Sequence, residues 1–436
     1  MRPASGAVGL LAAEWLAPQH SPRTLMIAAA DNRPNPSPRP LAQRLVASRR
    51  ETDRLFDLID SSTLYERPVA DRHRLIFYLG HLEAFDWNLI GRGRLDLPSL
   101  HPTFDRLFAF GIDPEPGAAP SDAPADWPSG EEVRAYNAEA RGRIDRLLPQ
   151  VPDHDIQIAV EHRLMHAETL AYLLHSLPHE KKQFVRQPII AAPAPSQTFI
   201  KIPAGRATLG QRKEEFGWDN EFAEHTVEVP SFEISRYKVT NREYLKFVEE
   251  GAAPPHFWVR QQGRWFWRGM FENLPLPPDW PVYVTHAEAT AYARWAGAAL
   301  PTEAQFHRAA FGRPDGAEQN HPWGDADPGA VEGNFDFRRW DPAPVTASPG
   351  SDSAFGVAQL VGNGWEWTSS VFAPFAGFEP YPLYAGYSQP FFDGKHFVLK
   401  GGSPRTAACL LRRSFRNWFR PEYPYVYGSF HIVRNG

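Results

Sequence analysis

The periodicity of the chain changes across L-P-H-E-K-K, residues 177 to 182, and that change constrains its fold more than any other feature. Upstream, apolar residues recur at helical spacing in four stretches: 41 to about 62 (L-A-Q-R-L-V-A-S-R-R-E-T-D-R-L-F-D-L-I), 72 to 92, 130 to 149 and 154 to 177. Ser129, with Glu132 three residues on, reads as a capping box that opens the third. Four amphipathic helices predict a four-helix bundle over 41–182. Downstream, short strand-like runs (F-I-K-I, H-T-V-E-V, F-E-I-S-R-Y-K-V) are separated by Gly, Pro and Asn. One helix is clear there, 285 to 297, with Thr285 as N-cap, Glu288 at the third helical position and Gly297 at its end; loop is expected after it. The 43 prolines, about twice the usual frequency, and 14 tryptophans suit an irregular second domain at 195–436, held by aromatic packing. Residues 1–40, rich in Pro, Asn and Ser toward their end, read as a flexible leader. The expected class is α+β, in two domains.

Bulk charge narrows the partners. With 46 basic residues against 51 acidic ones and a net charge of -5, the chain has no basic field to hold nucleic acid or an anionic membrane, so a small molecule is the expected partner. No window approaches the roughly 18 uninterrupted apolar residues of a membrane helix. The start, M-R-P-A-S-G-A-V-G-L-L-A-A-E, has some look of a signal peptide, but Glu14 cuts its apolar run short and only Arg2 charges its front. A single cysteine, Cys409, permits neither an intramolecular disulfide nor a two-thiolate metal site, which suits a cytoplasmic protein.

The stretch E-H-R-L-M-H-A-E-T, 161 to 169, sets His162 and His166 four residues apart inside the last helix. Positions i and i+4 lie above one another on one helix face, so both imidazoles can be aimed at a single point. A third ligand has to come from another helix, and Y-L-G-H-L-E-A-F-D-W, 78 to 87, carries His81 in the middle of one. Imidazole suits iron, copper, nickel or zinc, and ligands on facing helices are a common way to build such a site. With 16 histidines in the chain, a single one on an apolar face is ordinarily a hydrogen-bonded core residue, and spacing alone leaves both readings open. Glu168 falls about 200° around the helix from His166 and is expected to be a supporting or outward group rather than a ligand.

Five segments of the second half, I-P-A-G-R-A-T-L-G (202–210), V-T-N-R-E-Y-L-K-F (239–247), A-L-P-T-E-A-Q-F (299–306), L-V-G-N-G-W-E-W-T (360–368) and V-L-K-G-G-S (398–403), resemble successive signatures of the formylglycine-generating-enzyme-like domain, a C-type-lectin-related fold. The cysteine pair of formylglycine chemistry is absent, so likeness of fold does not transfer that activity. A DinB-like helical bundle bearing G-H…H-x-x-x-H-x-E, fused to such a domain, resembles the ergothioneine sulfoxide synthases, which are mononuclear non-heme iron enzymes. That resemblance implies that His81, His162 and His166 hold Fe(II), with hercynine, a chalcogen donor and O2 as substrates. The segment Y-P-L-Y-A-G-Y-S-Q-P-F-F-D-G (381–394) is similar to the family's Y-x-x-Y-S-x-P-F-F-D-G, whose first tyrosine is the catalytic proton or electron donor and whose second holds the trimethylammonium group. These implied roles fall on Tyr384 and Tyr387. The family's R-N-W-D reads here as Arg416, Asn417, Trp418 and Phe419. Tyr387 and Trp418 would offer π-faces to a quaternary ammonium, worth about 2 kcal/mol or more when desolvated. Asn417 would bond a carboxylate directly or through water.

Two departures from that family are informative, the first about the donor and the second about the position that commonly bonds the substrate imidazole. Where the ergothioneine synthases commonly carry Asp to pair with the ammonium of the thiol substrate, this chain has Phe419. Where they commonly carry Gln just before the last metal histidine, it has Met165, whose thioether is a weak acceptor and no donor. A neutral donor suffers from neither change. The segment F-D-R-L-F-A-F-G-I-D-P (104–114) resembles the selenoneine synthases, whose donor is a selenosugar, 1-seleno-glucose. The expected reaction joins its selenium to the imidazole C2 of hercynine through a selenoxide. Two alternatives stand beside it: an ergothioneine-type synthase with a thiol donor, and a non-catalytic module whose lectin-like half binds a ligand.

Overall fold

The computed structural model describes residues 40–111, 120–187, 190–328 and 333–435. The expected leader, up to residue 39, and the end of the F-D-R-L-F-A-F-G-I-D-P segment, from Ile112, lie outside the described residues.

Four long helices form the first domain: α1 (Pro40–Phe56) and α2 (Leu75–Asp86), then, after the short α3 (Pro102–Phe110), α4 (Gly130–Leu147) and α5 (Asp153–Ser176). The first stretch ends earlier than its periodicity predicts, with Ser61–Tyr65 forming a separate 3-10 turn. α2 continues as a π-helical stretch, Trp87–Arg94. α3 lies between the second and third predicted stretches: its cap is His101, whose Nδ1 accepts from the Phe104 N–H at 3.1 Å, with Pro102 at the first helical position. α4 opens as expected, Ser129 Oγ accepting from Glu132 N–H while the Glu132 carboxylate accepts from Ser129 N–H.

The metal helices are locked by a buried charge cluster. Arg163 Nη2 lies 2.7 Å from both Glu83 and Asp86, and Arg141 donates to Glu83 at the same distance. Removing one member of such a buried pair costs about 3–5 kcal/mol, because the other is left unpaired.

The second domain is built from small sheets. β1 (Phe199–Ile202), β4 (Phe232–Ser235) and β12 (Val433–Asn435) form one antiparallel sheet with β4 central, so the two ends of the domain meet on Ile234. β2 (Gly205–Leu209) pairs with β3 (His225–Val229), and β5 (Trp258–Gln261), β6 (Arg264–Arg268) and β7 (Asn273–Pro275) form a meander. The sheet nearest the site has the order β10 (Asn417–Phe419), β9 (Phe397–Lys400), β8 (Trp365–Val371), β11 (Gly428–Ser429). The run F-E-I-S-R-Y-K-V is strand only as far as Ser235. Among the described residues three α-helices stand here rather than one: α6 (Asn241–Glu249), α7 (His286–Trp295) and α8 (Glu303–Phe311). α6 and α8 carry the capping box seen at Thr285 and Glu288, as Thr240 with Glu243 and Thr302 with Gln305. Among the described residues no helix is long and apolar enough to cross a membrane.

The domains share a buried polar seam. Glu168 accepts from Trp365 Nε1 (2.7 Å), Ser403 Oγ (2.5 Å) and Thr406 Oγ1 (2.7 Å). Glu168 therefore points into the second domain and not to solvent, correcting the outward half of the sequence expectation.

Candidate active site

α2 and α5 bring His81, His162 and His166 together, with one ring nitrogen of each lying within 4.8 Å of the others. They are the one such group of His, Cys, Asp or Glu among the described residues. His81 Nδ1 lies 2.7 Å from the Phe108 carbonyl, which only accepts, so Nδ1 carries the proton and Nε2 a lone pair. That Nε2 is buried with no partner among the described residues, as are both ring nitrogens of His162 and His166. Burial lowers all three histidines, His81 to about 4, so the imidazoles are neutral at pH 7. Orphaned buried nitrogens normally cost free energy, and three neutral ones converging on a point fit a divalent first-row metal ion. The carbonyl that fixes the tautomer belongs to α3, and Phe108 also packs its ring on Gly80.

One wall of this centre comes from residues 381–388. Tyr384 sits edge-on to Phe85 (5.2 Å between centroids) and to His162 (6.1 Å), and Phe85 stacks on His162 at 3.4 Å. Burial, then the Asp219 carboxylate, raise the Tyr384 phenol well above its usual range, so it holds its proton at neutral pH. Tyr387 stacks on Trp218 at 4.1 Å, meets Trp418 edge-on at 5.3 Å, and donates its hydroxyl to Met165 Sδ at 3.3 Å. Trp218 is in turn held by Glu161 of α5, which accepts from its indole N–H at 2.9 Å. Asp219, in the same segment, accepts from Ser388 Oγ, and burial pushes its carboxyl up to about 6 against that bond.

The other wall rests on Arg72. Its guanidinium is buried and donates to Tyr172 Oη (2.9 Å) and Tyr423 Oη (2.7 Å); among the described residues it has no carboxylate partner, and its Nη1 has no partner at all. Burial raises the Tyr78 phenol to about 12 against the pull of Arg72, and the Tyr78 ring lies 5.9 Å from that of His166. Phe419 stacks on Tyr423 at 4.9 Å. Side chains alternate along a strand, so β10 sends Trp418 to the Tyr387 wall and Phe419 with Asn417 to the opposite face. The structure thus gathers Tyr384, Tyr387, Met165 and Trp418 on one side and sets Phe419 on the other. Asn417 Oδ1 accepts from the Trp418 N–H at 2.9 Å.

Residues 187–435 match the Sulfatase-modifying factor enzyme 1-like domain, and residues 44–181 match the DinB superfamily. Hercynine oxygenase of Mycolicibacterium smegmatis is 36% identical over 429 residues, covering 90% of this chain and 98% of its own length. The chain belongs to the hercynine oxygenase family. Hercynine oxygenase of Mycolicibacterium thermoresistibile is 33% identical over 433 residues, 90% of this chain and 94% of that one. Ergothioneine biosynthesis protein 1 of Neurospora crassa is 28% identical over 493 residues, 87% of this chain but 56% of the fungal protein. Membership in the hercynine oxygenase family sets aside the non-catalytic reading.

Several residues at the site escape a reading by motif. Phe85 is four positions from His81 and was within reach of helical periodicity. Trp218, Asp219 and Arg72 had no such signal, because the partners they bond or stack on at the site are a hundred or more residues away or lie across the domain seam.

Proposed function

We propose that the chain is a non-heme Fe(II), O2-dependent oxygenase that joins the chalcogen of a donor to C2 of the hercynine imidazole. We propose further that the donor is a selenosugar of the 1-seleno-glucose type, with selenoneine formed by way of a selenoxide. The observation that carries the reaction is the group of three buried, neutral imidazoles with free nitrogens beside a protonated Tyr384. His81, His162 and His166 would hold the iron, which would supply O2 activation when bound. Tyr384, whose ring lies edge-on to that of His162, holds its phenolic proton and is proposed to pass it to the reacting atoms. Tyr387, Trp218 and Trp418 present aromatic surface for the trimethylammonium group, and their packing keeps water from it. Asn417 is proposed to bond the hercynine carboxylate through water.

Support for the donor comes from the Arg72 wall. A buried guanidinium with no carboxylate partner among the described residues opposes an ammonium-bearing donor and tolerates a neutral polyol or an anionic selenolate. Phe419, in place of an aspartate, adds no charge to offset it, and Met165 is occupied by the Tyr387 hydroxyl. A thiol donor is the second reading: relatives include ergothioneine biosynthesis proteins, and a pocket that admits a selenosugar admits its sulfur analogue. The test is turnover of hercynine and O2 with 1-seleno-glucose, 1-thio-glucose and γ-glutamylcysteine side by side. The selenosugar is expected to give the highest kcat/KM; a preference for γ-glutamylcysteine replaces the donor, and no turnover with any of them removes the reaction.

A further inference from the structure

We infer that Tyr381 and Asp155 form a latch that seats residues 381–388 on the metal helix, which makes Asp155 a positioning residue for the reaction; this rests on the function proposed above. Asp155 stands in the first turn of α5, its side chain fully buried. It accepts from the Tyr381 hydroxyl at 2.6 Å, and from Arg94 through Nη2 at 3.0 Å and through Nε. Arg94 ends the π-helical continuation of α2. One carboxylate therefore ties together the helix of His162 and His166, the helix of His81, and the segment of Tyr384 and Tyr387. Burial opposes its ionisation, but hydrogen bonds from His154, Arg94 and Tyr381 outweigh that and hold the carboxyl well below the usual range. The acceptor is thus charged at neutral pH, and a bond to it is stronger than one between neutral groups.

Apart from the packing of the Tyr384 and Tyr387 rings, the segment has few bonds to set its position. Its backbone makes turn contacts, Tyr384 N–H to Tyr381 C=O (2.9 Å) and Tyr387 N–H to Tyr384 C=O (3.2 Å), and belongs to no sheet. Its far end is held inside its own domain, where the buried Ser388 hydroxyl donates to Asp219 and accepts from Asn220 Nδ2 at 2.9 Å. The Tyr381 end differs in two ways: its hydroxyl bonds a carboxylate of the bundle, and it lies beside Arg94, which is 39% exposed. The histidine nitrogens facing the centre are buried, as are Tyr384 and Tyr387. Release of the latch end would loosen the segment from the bundle without unfolding either domain.

The experiment is hydrogen–deuterium exchange on the full iron-loaded chain, comparing the parent with Tyr381→Phe, Asp155→Asn and the double variant. Amides of 381–388 are expected to exchange about ten- to a hundred-fold faster in each single variant, the span of one charge-assisted hydrogen bond. Amides of α5 should hold their rates, and the double variant should be no faster than either single one. In parallel, kcat for hercynine should fall by about ten-fold or more with iron content unchanged. Unchanged exchange at 381–388, additive effects in the double variant, or equal loosening of α5 would overturn the latch. If the parent turns over no hercynine and yet the segment still responds to Tyr381→Phe, the latch stands and the proposed chemistry falls.

Discussion

The two sides of the active site are built by opposite means. On the bundle side, His81, His162 and His166 project from helices locked together by Arg163, Glu83 and Asp86, so each imidazole's direction follows from the 3.6-residue repeat. On the other side, Tyr384 and Tyr387 ride a segment outside any sheet, and Trp418 sits on a three-residue strand. Their directions follow from contacts to Trp218, Asp155 and Asp219, all distant in sequence. The candidate metal ligands sit on the stiff side; the side chains proposed to meet substrate sit on the compliant one.

Breaking the stiff side is expected to have the largest effect. His81→Ala, His162→Ala and His166→Ala should each abolish iron retention, measured as metal content after dialysis, because a three-ligand site missing one ligand cannot hold Fe(II) against dilution. Full occupancy in any one variant removes that residue from the metal site. On the compliant side Tyr384→Phe keeps the ring and removes the proton. It should lower coupling by about 100-fold or more while hercynine affinity and iron content stay near those of the parent, a transition-state effect and not a binding one. Equal coupling in the variant would move the proton donor elsewhere. The smallest change sharpens the contrast between the two walls. Phe419→Asp places a carboxylate on the Arg72 wall, offsetting its cation and offering an ammonium a partner. The kcat/KM ratio of γ-glutamylcysteine to selenosugar should rise by roughly one to two decades, the worth of one charge-assisted contact. A ratio that does not move removes Phe419 from donor selection.

Legibility followed the same division. The bundle, the i,i+4 histidine pair and the caps at Ser129 and Thr285 were readable because they depend on residues within one or two helical turns. The capping boxes of α6 and α8 were equally local, yet they sit in short helices whose apolar repeat spans too few residues to stand out from the surrounding turns. α3 is capped by His101, a residue type with little N-cap preference. At the site, Tyr384 and Tyr387 were placed by likeness to a family motif; nothing in their spacing aimed them at His162 or Met165.

By itself the sequence determined that one half is helical and the other short-stranded, and that two imidazoles share a helix face with a third within a bundle's reach. Those features are set by backbone periods that operate over a few residues. Tertiary structure decided the rest. It turned Glu168 into the domain seam instead of solvent, gave Met165 the Tyr387 hydroxyl, parted Trp418 from Phe419 across a strand, and brought Arg72 to a wall without a carboxylate. Each of these depends on which surfaces meet when two domains close, a matter of long-range packing and buried hydrogen-bond satisfaction that no local repeat encodes.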